Sequence, residues 1–150
     1  MNLFLCKVRF DKMLENGIQK PVTEQYAVEA LSFTEAEARI IEEVTPFISG
    51  DFEVKDISKM NISEVFDNED GDRWYKVKVN FISLDERTGA EKKTPHYMLV
   101  KASDMESAKT NFLNGMKDTM ADFEVEQYVE TKIMDLYRYV QAEKLPKGSK

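Results

Sequence analysis

Few side chains in this sequence have the type and spacing that covalent chemistry demands. His96 is the one histidine, and a general base or zinc ligand normally needs a histidine oriented by partners. Cys6, the one cysteine, falls on the apolar side of an alternating run and reads as a small buried hydrophobe, not a nucleophile. Glu64 and Asp135 stand at matching places of an internal repeat, each two residues before an aromatic. Two such carboxylates meeting across a pseudo-twofold axis would divide acid and base work, although charged strand ends facing water are far commoner. The run Asp67-Asn68-Glu69-Asp70-Gly71-Asp72 invites a calcium-loop reading. With Gly71 in the sixth place, however, Phe66 and Val77 hold the first and twelfth, where acidic ligands belong. The sequence also lacks a nucleophile elbow, a phosphate-binding glycine loop and a dinucleotide fingerprint. No catalytic residue, metal ligand or cofactor is assigned.

A different chemistry is offered by a cationic stripe. Lys7 and Arg9 on one expected strand, and Lys76 and Lys78 on another, point away from the core beside Leu3, Leu5 and Trp74. Four cations and an exposed aromatic would grip a nucleotide or single-stranded nucleic acid by charge and stacking. The same surface supports two other readings. Leu3, Leu5 and Trp74, with Val100, would form an apolar patch covered by a second copy, making the protein a homo-oligomer. Alternatively, the lysines solvate an open sheet and discourage edge-to-edge aggregation.

The elements that position these residues come from duplication. Sliding the sequence by 71 positions aligns Lys7, Val8 and Phe10 with Lys78, Val79 and Phe81. It also aligns Tyr26 with Tyr97, Ser32 with Ser103, and Asp51-Phe52-Glu53-Val54 with Asp122-Phe123-Glu124-Val125. In each copy, alternating apolar residues predict a half-buried strand: Phe4, Cys6, Val8 and Phe10, or Tyr75, Val77, Val79 and Phe81. A glycine-bearing turn leads to a second strand, with Tyr26, Val28 and Ala30, or Tyr97 and Leu99, on one face. Ser32 with Glu35, and Ser103 with Glu106, read as capping boxes. Helical spacing follows in Phe33, Ala36, Ile40, Ile41, Val44 and Phe47, and in Met105, Ala108, Phe112, Met116 and Met120. A long third strand is expected from Phe52 towards Phe66 and from Phe123 towards Tyr137. The predicted fold is α+β: a tandem ββαβ duplication with a mostly antiparallel sheet and helices on one face. Residues 1–66 and 74–139 form the repeats, 67–73 an acidic linker, and 140–150 a basic tail.

Bulk properties set limits on function. With 150 residues, a net charge of -7, 42% hydrophobic and 33% charged residues, the chain is apolar enough to fold without metal or disulfide. Its acidity opposes nonspecific binding to nucleic acid or anionic membranes. A lone cysteine fits a reducing cytoplasm. No apolar run approaches the roughly 20 residues that span a bilayer, and the N-terminus does not read as a signal peptide. A soluble cytoplasmic protein with no membrane partner is expected.

The stretch Thr23-Glu24-Gln25-Tyr26-Ala27-Val28-Glu29-Ala30-Leu31-Ser32-Phe33-Thr34-Glu35-Ala36-Glu37-Ala38, with Thr45-Pro46-Phe47-Ile48-Ser49-Gly50, carries a family resemblance. So do Asp72-Arg73-Trp74-Tyr75-Lys76 and Gly89-Ala90-Glu91-Lys92-Lys93. Over nearly its whole length the chain resembles a family of small proteins of unknown function from Bacteroides-type bacteria and their phages. The resemblance implies a bacterial or phage cytoplasmic setting and supplies no catalytic residues. The expected function is a noncatalytic binding or scaffold protein that self-associates, with nucleotide or single-stranded nucleic-acid binding as the alternative.

Overall fold

A computed structural model of the chain describes residues 2–139, so the expected basic tail at 140–150 lies outside the described residues. A hairpin of β1 (Asn2–Met13) and β2 (Gln19–Ala30) leads into α1 (Phe33–Val44), a 3-10 turn at Thr45–Phe47, β3 (Phe52–Met60) and the short β4 (Glu64–Phe66). The order then recurs with β5 (Arg73–Leu84), β6 (Glu91–Ala102), α2 (Met105–Met116), β7 (Asp122–Glu130) and β8 (Ile133–Tyr137). The fold is α+β. The single long third strand expected in each repeat is instead two strands, and the break has a geometric cause.

The strands form two sheets, in the orders β3-β1-β2-β8 and β4-β6-β5-β7. Three strands of each are antiparallel neighbours, while β8 pairs parallel with β2 and β4 pairs parallel with β6. To close its own sheet, β4 would have to cross three strand spacings, roughly 14 Å, and step back about 10 Å to the level of Tyr26. The connection Asn61-Ile62-Ser63 reaches at most about 14 Å when extended. Thr131-Lys132 is shorter still. Each repeat therefore gives its last strand to the other repeat's sheet. Compact units cut across the repeats as a result: one is the chain up to Met60 together with the chain from Ile133, the other Asn61–Lys132. Segment 67–73 is not a tether between units but an internal part of the second.

Each unit packs its helix on one sheet face. In the first, Phe4, Cys6, Val8, Val28, Ala30, Ala36, Ile40 and Val44 form the core. In the second the core is Tyr75, Val77, Val79, Met98, Val100, Ala102, Ala108, Phe112 and Met116. The cores match position for position, the half-buried Tyr26 answering to Met98, with Tyr137 from β8 and Phe66 from β4 packed against them at corresponding places. Even a β-bulge recurs, between Lys7 and Val8 and between Lys78 and Val79.

The gapless alignment fails in the middle of the repeat. Phe4 pairs with Val28, and its counterpart Tyr75 pairs with Val100, so β2 and β6 correspond at a shift of 72. The extra residue lies in the second hairpin loop and is lost again after the helix. A one-residue slip reverses every side chain's face, so Tyr26 corresponds to Met98. Tyr97 points away from the core and lies under Lys76, 4.7 Å from its Nζ. The second helix cap moves with it. Asp104, not Ser103, is the N-cap, accepting from the Ser107 N–H at 2.8 Å while the Ser107 hydroxyl accepts from the Asp104 N–H. In α1, Ser32 caps as expected, accepting from the Glu35 N–H at 3.1 Å. Glu35 reaches the Leu31 N–H instead of that of Ser32. Phe47 and Met120, expected on helical core faces, are 84% and 98% exposed.

Candidate functional site

The surface picked out by the sequence is the sheet face opposite each helix. On β5, Trp74, Lys76, Lys78 and Asn80 alternate onto this face, opposite Lys101, Leu99, Tyr97 and Pro95 of β6. Each of these cations already has a partner. Lys78 Nζ lies 2.6 Å from Glu126, whose other carboxylate oxygen accepts from the Asn80 amide at 3.1 Å. The hydrogen bond and charge of Lys78, with the Asn80 donor, hold the Glu126 carboxyl below its usual range. Reciprocally, Glu126 holds the Lys78 ammonium above its own. Lys93 pairs with Glu124 at 2.8 Å, and Lys101 stands over the Trp74 ring near Asp67. Asn80 is the buried polar side chain of the described residues, and its bond to Glu126 offsets the cost of desolvating the amide.

The first unit shows the opposite condition. Lys7 and Arg9 alternate onto the corresponding face of β1, with Asp56 and Glu53 as their cross-strand neighbours on β3. Among the described residues, neither makes an ion pair within 4.0 Å. Of the four expected cations, Lys78 alone has a carboxylate partner among the described residues; Lys76 has the Tyr97 ring, and Lys7 and Arg9 are left with charge to offer.

The apolar part of the expected patch is corrected. Trp74 is 2% and Leu3 8% exposed, Leu5 is half-buried, and Val100 belongs to the helix-side core. Ala27 and Leu99, on the same faces as Leu3 and Trp74, are also buried. These residues cannot present an open aromatic for base stacking. A signal for this was present in the sequence: Leu3-Phe4-Leu5-Cys6, Trp74-Tyr75 and Met98-Leu99-Val100 are unbroken apolar runs. Such runs mark strands covered on both faces rather than on one.

The residues weighed for catalysis lie on different elements. Glu64 lies on β4 in the second unit and Asp135 on β8 in the first. Asp135 accepts from the N–H of Leu136. The His96 Nδ1 is 2.8 Å from the Ser63 hydroxyl, and its ring packs edge-on against Phe81. This ties down the start of β4, together with the Ser63 N–H donating to the Tyr97 carbonyl. Cys6 is buried, and burial with the nearby Asp56 carboxylate pushes its thiol up to about 12. Such a thiol is no nucleophile at neutral pH. Gly71 is pressed so close to the Ala102 backbone that a Cβ there would lie 2.5 Å from its nitrogen. The acidic loop is thus shaped by packing.

One surface escaped the sequence reading. Strand β3 covers β1 only as far as Phe10, and β8 covers β2 only from Gln25, so the hairpin beyond them runs on as a two-stranded arm. Its tip exposes Met13 at 62% and Ile18 at 59%, with Leu14 beside them. Lys12 and Lys20 sit directly opposite each other one pair before its end. Like charges facing across a strand pair are unfavourable. The signal lay in Leu14 and Ile18 flanking Asn16-Gly17, where a tight turn leaves apolar side chains nothing local to pack on.

Among the described residues, no helix is long and apolar enough to cross a membrane. A family model, Domain of unknown function (DUF4494), matches residues 2–139, and the chain belongs to that family. Comparison with curated proteins finds no match.

Proposed function

We propose that this member of the DUF4494 family is a noncatalytic binding or scaffold protein that self-associates. The contact is assigned to the tip of the first arm, since Leu3 and Trp74 are buried. The observation that carries the reading is the exposure of Met13, Leu14 and Ile18 on a projecting arm. Apolar surface of this kind gains roughly 25 cal/mol for each Å² removed from water. Lys12 and Lys20 add charge complementarity, because the chain as a whole carries -7 and a second copy offers an acidic surface. Sedimentation equilibrium tests the reading. Wild-type protein is expected to associate with rising concentration, and Met13→Glu with Ile18→Glu to remain monomeric with an unchanged circular dichroism spectrum. A wild-type monomer at all concentrations would sink it.

A second reading, nucleotide or single-stranded nucleic-acid binding, is favoured by the unpaired state of Lys7 and Arg9. With Trp74 buried, such binding rests on phosphate contacts alone. Two cations predict a slope of about -1.4 in log affinity against log salt for a single strand, and loss of binding in Lys7→Glu, Arg9→Glu protein. A salt-independent affinity would remove this reading. The single cysteine and the family resemblance support a cytoplasmic setting in Bacteroides-type bacteria or cells infected by their phages. In such a setting the binding would serve replication support or sequestration of a host nucleotide signal.

A further inference from the structure

On the helix side of the second unit, α2 and the edge strand β7 enclose an open groove of about 290 Å³ lined by Met105, Lys109, Val125 and Tyr128, with Glu126 and Gln127 at its margin. Three observations bear on what it takes. First, among the described residues β7 is the last strand of its sheet, so one line of its backbone N–H and C=O groups has no strand neighbour there. Second, the groove's cation, Lys109, stands 5.9 Å over the Tyr128 ring and makes no ion pair among the described residues. Glu126 is not available to it, being engaged by Lys78 and Asn80. Third, Met105, Lys109 and Leu113 follow one another at intervals of four along one flank of α2, where side chains stack in a line. Met105 and Leu113 are 37% and 51% exposed. Their counterparts on α1, Phe33 and Ile41, are exposed as well, so both repeats keep apolar side chains at places where burial does not require them.

We infer that this groove binds an extended peptide segment that adds to the free edge of β7, with an acidic side chain meeting Lys109 and apolar side chains on either side of it. Edge-strand addition supplies main-chain hydrogen bonds, and pockets for alternate side chains supply selectivity. The carboxylate is specified by the unpaired cation, and its apolar neighbours by Met105, Val125 and Leu113. The β-bulge opposite Lys78 and Val79 interrupts the edge, which discourages indiscriminate pairing and leaves recognition to the side chains. The equivalent of Lys109 in the first unit is Glu37, so a groove there would select the opposite charge.

The test uses the full chain and a blocked seven-residue probe, Thr-Val-Thr-Asp-Thr-Val-Thr, whose Val, Asp and Val share one face. A second probe carries Lys in place of Asp. Titrations followed by amide chemical shifts of Val125–Tyr128 are expected to show the Asp probe binding at least about tenfold more tightly than the Lys probe, a difference near 1.4 kcal/mol. Lys109→Glu, at an exposed helix position, is expected to invert that preference while leaving shifts elsewhere in the core unchanged. Shifts at Val125–Tyr128 that are absent with both probes, or a preference indifferent to Lys109→Glu, would overturn the inference. Neither outcome depends on the oligomeric state of the protein.

Discussion

The two units keep the same core and differ almost everywhere else. Position for position, Phe4 answers to Tyr75, Val8 to Val79, Ala36 to Ala108 and Ile40 to Phe112, and the same bulge recurs on the edge strands β3 and β7. On the opposite faces the likeness ends. Lys78, Lys93 and Lys101 have carboxylate partners in the second unit, whereas Lys7 and Arg9 in the first have none among the described residues. The arms differ too: Met13-Leu14-Glu15-Asn16-Gly17-Ile18 against Leu84-Asp85-Glu86-Arg87-Thr88-Gly89-Ala90. Packing density leaves a core position little freedom, while an exposed residue can change at small cost to stability. Core pairs exchange one apolar residue for another, whereas the surface changes in charge and polarity, and it is there that two distinct binding roles would be found.

The strongest challenge to core equivalence is Phe112→Ala beside Ile40→Ala. Phe112 meets the rings of Phe66, Phe123 and Tyr128 edge-on, with centroids 5.8, 6.5 and 6.0 Å away. Its truncation is expected to cost about 4 kcal/mol, against about 3 kcal/mol for Ile40, measured by urea unfolding. If Ile40→Ala proved much the costlier, the two helices would not be serving matching cores.

Two glycines sharpen the comparison at smaller magnitude. At Gly71 a Cβ meets immovable backbone, and Gly71→Ala should lose about 2–3 kcal/mol. At Gly115 a Cβ would lie 2.6 Å from the Phe66 ring, which can turn aside, and alanine regains about 1 kcal/mol of helix propensity. Gly115→Ala is therefore expected to be the milder change. The first helix carries Glu43 at this place, paired with Arg39, whose guanidinium stands over Tyr137. Where one unit admits an aromatic strand end by deleting a side chain, the other surrounds it with charge.

The smallest effect concerns Cys6, whose counterpart is Val77. An unfolded thiol ionises near pH 8.5, but in the fold this one stays neutral until about 12. The unfolded state therefore holds fewer protons across that window, and stability must fall as pH rises through it. Tyr26 and Tyr137, both pushed up chiefly by burial, act in the same direction from about pH 10 upward. Cys6→Val should change stability at pH 7 by less than about 1.5 kcal/mol and flatten the decline between pH 9 and 10. A thiol reagent that labels native Cys6 rapidly at pH 8 would contradict its burial.

Duplication, strand alternation and the helix-side core were legible because apolar periodicity is a local property. Two further features were not. The shift from 71 to 72 positions depends on a single added residue in a loop, where identities such as Tyr26 with Tyr97 and Ser32 with Ser103 mask the slip. The destination of Glu64–Phe66 and Ile133–Tyr137 depends on how far two or three residues can reach, which no periodicity encodes. Among the candidate site residues, Lys7, Arg9, Lys76 and Lys78 do alternate away from the core as expected. Trp74 and Leu3 are buried against expectation, because alternation on the helix side says nothing about what covers the other face.

The exchange of final strands also fixes an order of events during biosynthesis. Asn61–Lys132 is one unbroken stretch and can complete its sheet as soon as it leaves the ribosome. The sheet begun by β1 must wait for Tyr137, 77 residues after Met60, or roughly 4–15 s of translation. During that interval the edge of β2 is open and the side chains destined to meet Tyr137 are uncovered. The part of the protein made first is the part that finishes last.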